Sequence, residues 1–504
     1  MFLDFIKVFL EIISFLFDCL LLGKTELFNE TSSAVKNEVV KMEHCHCNRS
    51  LLDDQEFIDK FRPYLPSGAR LSSKEDVYNL ITRSSQDPFV VQMAKVRNAF
   101  GSKWPPRASF DNWPKEWDPY MEMAEEMSFR MRDLDSPARY RAWILSKCSE
   151  IDIKTVKRQL EEKWQTAFHS PEVYGLMGAL AKLLLTFRWG KLPVSQEELD
   201  RKTLTFPAEL MEVFEMISHH YGTKPIGSLF NSVNANVMYV EGKEEQQGGR
   251  FFLIAEENKR LSERNFFNSV THMDQKFGKS LPIMTQYMAL TNFAFRGGPE
   301  IAMLLLDQRV KCLKLILHDV KEMFKIFRGF MNEEMVQTKY WGPYIQGPAA
   351  WNINGESEGM SGAENFSIML LDAFLGIKGT CLVSRVSFKK LSSFPKVCRD
   401  LVLILTEDSN LDKRFVSHLD LEDDPILRVK DDILHVLYCW RLGHAKLPLK
   451  YFGKDCKTTA SGVTELISED KTVSLGEQAE KHLRLRALET KACIVQLPKG
   501  GLMI

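Results

Sequence analysis

The chain lacks most of the features that would announce its chemistry. Its ten cysteines are scattered over 504 residues without one Cys-x-x-Cys pair, which leaves no framework for a disulfide-stapled domain or a zinc ribbon. His44-Cys45-His46-Cys47 is the single dense group of soft ligands. Four adjacent side chains on one strand cannot all reach one tetrahedral ion, so this group reads as part of a solvated spacer. Neither charge is in excess: 66 Lys and Arg face 67 Asp and Glu, a net charge of -1. Nothing in that balance calls for nucleic acid as a partner. Internal repeats and low-complexity tracts are absent, and alternating strand patterns are sparse. There is no Gly-x-Gly-x-x-Gly, P-loop or His-Glu-x-x-His, which removes the common dinucleotide, nucleotide and zinc-protease readings.

What is present is a core-forming composition, 44% apolar with 33 Phe and 21 Met. That excludes global disorder and points to a globular interior of bulky, adaptable side chains. The length exceeds one compact core and predicts two domains. Periodicity near 3.6 recurs from about Glu150 onward, and the class is all-α.

Residues 1–23 are long enough to span a bilayer, but Asp4, Lys7, Glu11, Ser14 and Asp18 recur on one helical face. The expectation is an amphipathic anchor helix lying peripherally on a membrane, on its cytoplasmic face. A secretory or spanning segment is the alternative, which the Asn29-Glu30-Thr31 and Asn48-Arg49-Ser50 sequons would fit; packing onto the protein's own core is a third. A polar linker is assigned to 24–60, a smaller helical domain to 61–240 and a larger one to 241–504. The charged, Gly-rich run EGKEEQQGG after Val240 makes the connection. Phe100 to Tyr120, dense in Pro and Trp, predicts an irregular segment with helices resuming near Pro119. Small polar residues make 447–464 a flexible loop.

Three stretches carry candidate chemistry. From Gly355 to Gly376 the backbone is permissive, and Ser361 with Glu364 has the spacing of a capping box that opens a helix. The free N–H groups there suit an anion, although an ordinary capped core helix explains the same residues. After Pro395, Cys398, Leu401, Val402 and Leu405 share an apolar face, where a cysteine is usually inert core. The third is a helix from Pro425 to His444, capped by Asp423 or Asp424, with Ile426, Val429, Ile433, Val436, Leu437 and Trp440 as its stripe. His435 and His444 ride on it, and either is able to face a cofactor or to sit solvated near the helix end.

In this order the segments resemble the indoleamine 2,3-dioxygenase superfamily, over roughly Asp152 to Thr490. Gly359-Met360-Ser361-Gly362, leading to Asp372-Ala373-Phe374-Leu375-Gly376, is similar to the family's Gly-Gly-Ser-Ala turn and Asp-x-x-Leu-Gly helix. The resemblance implies a two-domain helical haem-binding fold, with Gly359, Ser361, Gly362 and Ala363 packed against haem b and its propionates. Phe187-Arg188-Trp189-Gly190-Lys191 and Phe266-Phe267 look like segments that line the pocket above the haem. Lys224-Pro225-Ile226 through Asn236 resembles the family's Pro-Pro-Ile segment. Thr458 to Glu465 resembles its substrate-closing loop, bringing in Thr459 and Thr464. Pro343-Tyr344-Ile345-Gln346-Gly347 resembles Arg-Pro-Tyr-x-x-Gly, but Gly342 stands where the family's arginine pairs with the substrate carboxylate. Gly342→Arg is therefore expected to restore that grip.

Cys398-Arg399-Asp400-Leu401 occupies the place of the family's proximal histidine segment. The resemblance then implies a Cys398 thiolate on the iron, with His418 or His435 as substitutes in a shifted register, or loss of haem. The expected function is a haem-dependent oxidoreductase using molecular oxygen on a small aromatic, amino-acid-derived substrate, in a pocket of Phe187, Phe266, Gly342 and Tyr344. No catalytic base is identified. A conventional histidine-ligated dioxygenase and a non-catalytic haem or small-molecule binder are the other two readings, and oligomeric state has no signal.

Overall fold

The computed structural model describes residues 52–101, 104–195, 197–198, 201, 204–238, 248–353, 356–360, 362–408, 414–419, 423–452 and 473–495. The anchor assigned to 1–23 lies outside them, as do Ser361, Thr459 and Thr464. The chain divides into two compact units. In the first, helix α1 (Asp54–Phe61) opens on Asp53, whose carboxylate accepts from Glu56 N at 2.8 Å. The last residues assigned to the polar linker are thus helical. Phe57, Ile58 and Phe61 form its buried face.

The second unit contains Tyr64–Ala69 and everything from Glu75 onward, so the boundary expected at 240/241 falls inside it. The described chain is mostly helical. Its first part runs α2 (Lys74–Ser84), α3 (Pro88–Phe100), α4 (Asp118–Asp133), α5 (Pro137–Cys148), α6 (Ile153–Thr166), α7 (Pro171–Trp189) and α8 (Ala208–Tyr221). Between α3 and α4 the chain is irregular apart from a short 3-10 turn, and the helix resumes at Asp118, close to where Pro119 places it.

The sequence of α7 is apolar on every side, which requires a helix surrounded by protein. Every residue from Val173 to Trp189 is buried, between a Ser170 cap and a left-handed Gly190. Two glycines let other backbone approach it. A Cβ on Gly175 would lie 2.2 Å from Ser109 O, and one on Gly178 2.4 Å from Ala235 O. Gly178→Ala therefore forces backbone apart and is expected to cost about 1–3 kcal/mol. A lowered urea midpoint with unchanged m checks it.

The second part contains α9 (Leu229–Ser232), α10 (Glu257–Gly278), α11 (Ser280–Phe330), α12 (Thr338–Tyr340), a π-helical turn (Trp341–Gln346), α13 (Phe366–Leu375), α14 (Leu382–Lys390), α15 (Lys396–Glu407), α16 (Pro425–Ala445), α17 (Leu447–Tyr451) and α18 (Leu475–Lys491). Within α11 the backbone breaks at Gly298, φ 77°, immediately before Pro299. Proline cannot donate to the preceding turn, and only glycine enters that φ region freely, so the pair makes the kink. Two antiparallel hairpins, Val237–Met238 with Gly248–Gly249 and Ala350–Ile353 with Glu356–Gly359, are the strands among the described residues. None of the described helices is long and apolar enough to cross a membrane.

Two local expectations are revised. Helix α13 is capped by Asn365, which accepts from Ile368 N at 3.0 Å, and not by a Ser361–Glu364 box. Glu364 turns inward instead, accepting from Leu229 N at 2.8 Å and facing Lys390 Nζ at 3.1 Å. The expected loop at 447–464 begins as a helix, α17, and its remainder from 453 lies outside the described residues.

Candidate functional site

A cavity of about 270 Å3 opens where α10, α13, α16 and α18 converge. Each helix presents one stripe to it, at the three- and four-residue spacing that puts side chains on a common face. From α10 come Phe266, Phe267, Val270 and Met273; from α13, Ile368, Met369 and Asp372. Helix α16 gives Trp440, Arg441 and His444, and α18 gives Ala479, His482, Leu483 and Arg486. The π-helical turn adds Trp341 and Ile345. Trp341 meets Phe266 edge-on at 4.6 Å and Tyr451 at 5.1 Å, so aromatic rings close this part of the wall.

His444 is the titratable group of greatest interest. Its ring stacks on Trp440 at 5.0 Å and meets Phe327 edge-on at 5.7 Å. Burial, and then the charge of Arg441, lower its pKa to about 4. The imidazole is therefore neutral at physiological pH, with a lone pair for a metal. It has no hydrogen bond with another described side chain or backbone group. The indole N–H groups of Trp341 and Trp440 and Nδ1 of His482 are likewise buried without a partner among the described residues.

Below this wall lies a charged cluster. Arg441 donates to both Asp372 oxygens, at 2.7 and 2.6 Å, and Arg486 also bonds Asp372. Arg486 further reaches Ser384 Oγ at 2.6 Å and Glu489 at 3.0 Å. Burial opposes ionisation of Glu489, but hydrogen bonds from Ser384, from Cys381 and from Arg486 outweigh it and hold the carboxyl at about 2. Two arginines and two carboxylates balance, so this end of the cavity is polar without net charge.

Asp274 ties α10 to α13. It accepts from Ser367 Oγ at 2.5 Å, Asn234 at 3.0 Å and Asn365 at 3.2 Å. Burial outweighs these bonds and raises its pKa to about 6. With the folded value above the unfolded one, the folded state gains stability from the proton. That gain is full below pH ~4, is lost as pH rises through 6, and is worth about 3 kcal/mol. Asp274→Asn is expected to flatten this part of the stability curve, measured by urea unfolding at several pH values.

The residues chosen from sequence divide. Phe266 borders the cavity, and so does Gly362 of the expected glycine turn. Gly359 ends a hairpin strand and Ala363 lies in a 3-10 turn. Phe187 packs on Phe206 at 5.6 Å, away from it. Tyr344 stands outside the wall, its hydroxyl accepting from Lys259 Nζ at 3.2 Å. A Cβ on Gly342 would meet open space, and Gly342 does not border the cavity. The expected rescue of carboxylate binding is corrected accordingly: Gly342→Arg should leave ligand affinity unchanged, read by titrating tryptophan against both proteins.

Cys398 does not face the cavity either. It is wholly buried in α15, which packs on α3 with Gln92 donating to Val397 O at 2.9 Å. Burial pushes its thiol far up, away from thiolate. His418 meets Phe295 at 5.3 Å in a separate segment, and His435 points away along α16 beside Cys439. The stretch 355–359 also has the Gly-x-Ser-x-Gly spacing of a serine-hydrolase turn. Ser357, however, is paired with Asn352 inside a hairpin, whereas that chemistry needs a strand-to-helix elbow.

Compared with known proteins, the chain matches no protein-family model and no curated sequence.

Proposed function

We propose that this cavity takes haem b, that His444 would hold its iron in place of Cys398, and that the protein is a haem-dependent oxidoreductase acting on a small aromatic molecule. The observation that carries this reading is a neutral imidazole, free of hydrogen bonds to other described residues, on the wall of an apolar, ring-lined cavity. A flat apolar cofactor would lie against Phe266, Phe267, Trp341 and Trp440. When bound, the haem would supply oxygen activation.

The chain's own part is positional. The Asp372–Arg441 bonds fix the turn of α16 that carries His444, three residues on, and so set the direction of the imidazole. Phe266 and Phe267 exclude water and offer ring faces to an aromatic substrate.

Haemin titration of the purified chain tests the proposal. Trp341 and Trp440 border the cavity, so their fluorescence should quench to an endpoint of one haem per chain. Linear, unsaturable quenching, or quenching without a shifted haem absorption band, would overturn it.

A further inference from the structure

Helix α16 has a second ligand-bearing face. His435 precedes His444 by nine residues, which at 100° per residue puts it about half a turn around the helix from the cavity. Cys439 lies one turn beyond His435, and its Sγ is 3.6 Å from His435 Nε2. Both side chains are half-buried, so solvent reaches the pair.

That separation is the bite of a metal chelate. Bonds of about 2.3 Å to sulfur and about 2.05 Å to nitrogen, meeting at a tetrahedral angle, span about 3.5 Å. Backbone geometry alone holds the two donors together at i and i+4, so little order is lost on binding. One turn back, Asp432 is close enough for its charge to act on His435, though Lys321 and Arg428 face the same carboxylate.

We propose that His435 and Cys439 form a two-point chelate for a soft or borderline divalent cation, Zn2+ above all, on the face of α16 opposite the cavity. Binding replaces the thiol proton by the metal and releases that proton to solvent. Among the described residues no third His, Cys, Asp or Glu forms a metal-holding group with the pair, so the proposal is of two protein donors. It is independent of the haem reading, because none of its donors borders the cavity.

The test is equilibrium dialysis of the full chain against Zn2+, together with iodoacetamide labelling of Cys439 read by mass spectrometry. Zn2+ should slow alkylation of Cys439 in the unaltered protein. His435→Ala and Cys439→Ser should each weaken one class of bound Zn2+ by at least about tenfold, since even second-sphere changes cost that much. His435→Ala should also abolish the protection. Unprotected Cys439 in the unaltered chain overturns the proposal without any variant. So does Zn2+ affinity that is equal in all three proteins, or protection that survives His435→Ala.

Discussion

His444→Ala is expected to abolish saturable haem binding, while Cys398→Ser keeps the haem spectrum of the unaltered protein. The two residues differ in surroundings rather than in ligand chemistry. Cys398 is enclosed between α15 and α3, and a serine there adds an unsatisfied hydroxyl costing about 1–3 kcal/mol of stability. His444 faces the cavity with its lone pair available. Alanine at His418 or His435 should leave the spectrum unchanged, because neither ring borders the cavity. A Cys398→Ser protein that loses its haem band while His444→Ala retains it would return the assignment to the thiolate.

Asp372→Ala should be the most destabilising single change at the site. It leaves Arg441 and Arg486 buried without their shared carboxylate. Breaking a buried ion pair from one side costs roughly 3–5 kcal/mol, since the remaining charge loses its partner but not its burial. Urea unfolding should show this loss, and an effect under about 1 kcal/mol would mean that the cluster is solvated. The same cluster gives an acid limb. Glu489 has a folded pKa near 2 against 4.5 for the free group, so its contribution is present above pH 4.5 and lost as pH falls toward 2.

Much of the helical frame was legible. Asp424-Pro425 opens α16 as cap and first turn, and Ile426, Val429, Ile433 and Leu437 of its stripe are buried, while Val436 and Trp440 are half-buried. Cys398, Leu401, Val402 and Leu405 form the inner face of α15. The glycine after Leu375 ends α13 in the left-handed region. What spacing could not give was which face meets which. Cys398 stands where the resemblance implies an iron ligand, but ligand status depends on a cavity lined by helices distant in sequence. Arg441 three residues before His444 held the usable signal. An arginine otherwise inside an apolar helix needs a buried anion, and Asp372 is that anion. The π-helical turn that puts Trp341 into the wall and Tyr344 outside it has no signature in the apolar period. Gly298-Pro299, by contrast, was a readable break in α11.

The central claim is that an imidazole from α16, and not a thiolate from α15, holds iron in this cavity. The absorption spectrum of the reduced, haem-loaded protein under carbon monoxide tests it most directly, because the axial donor sets where the carbonyl band falls. A band at the position of imidazole-ligated haem, lost in His444→Ala, is the predicted result. A band at the thiolate position, or one that His444→Ala leaves in place, would contradict it.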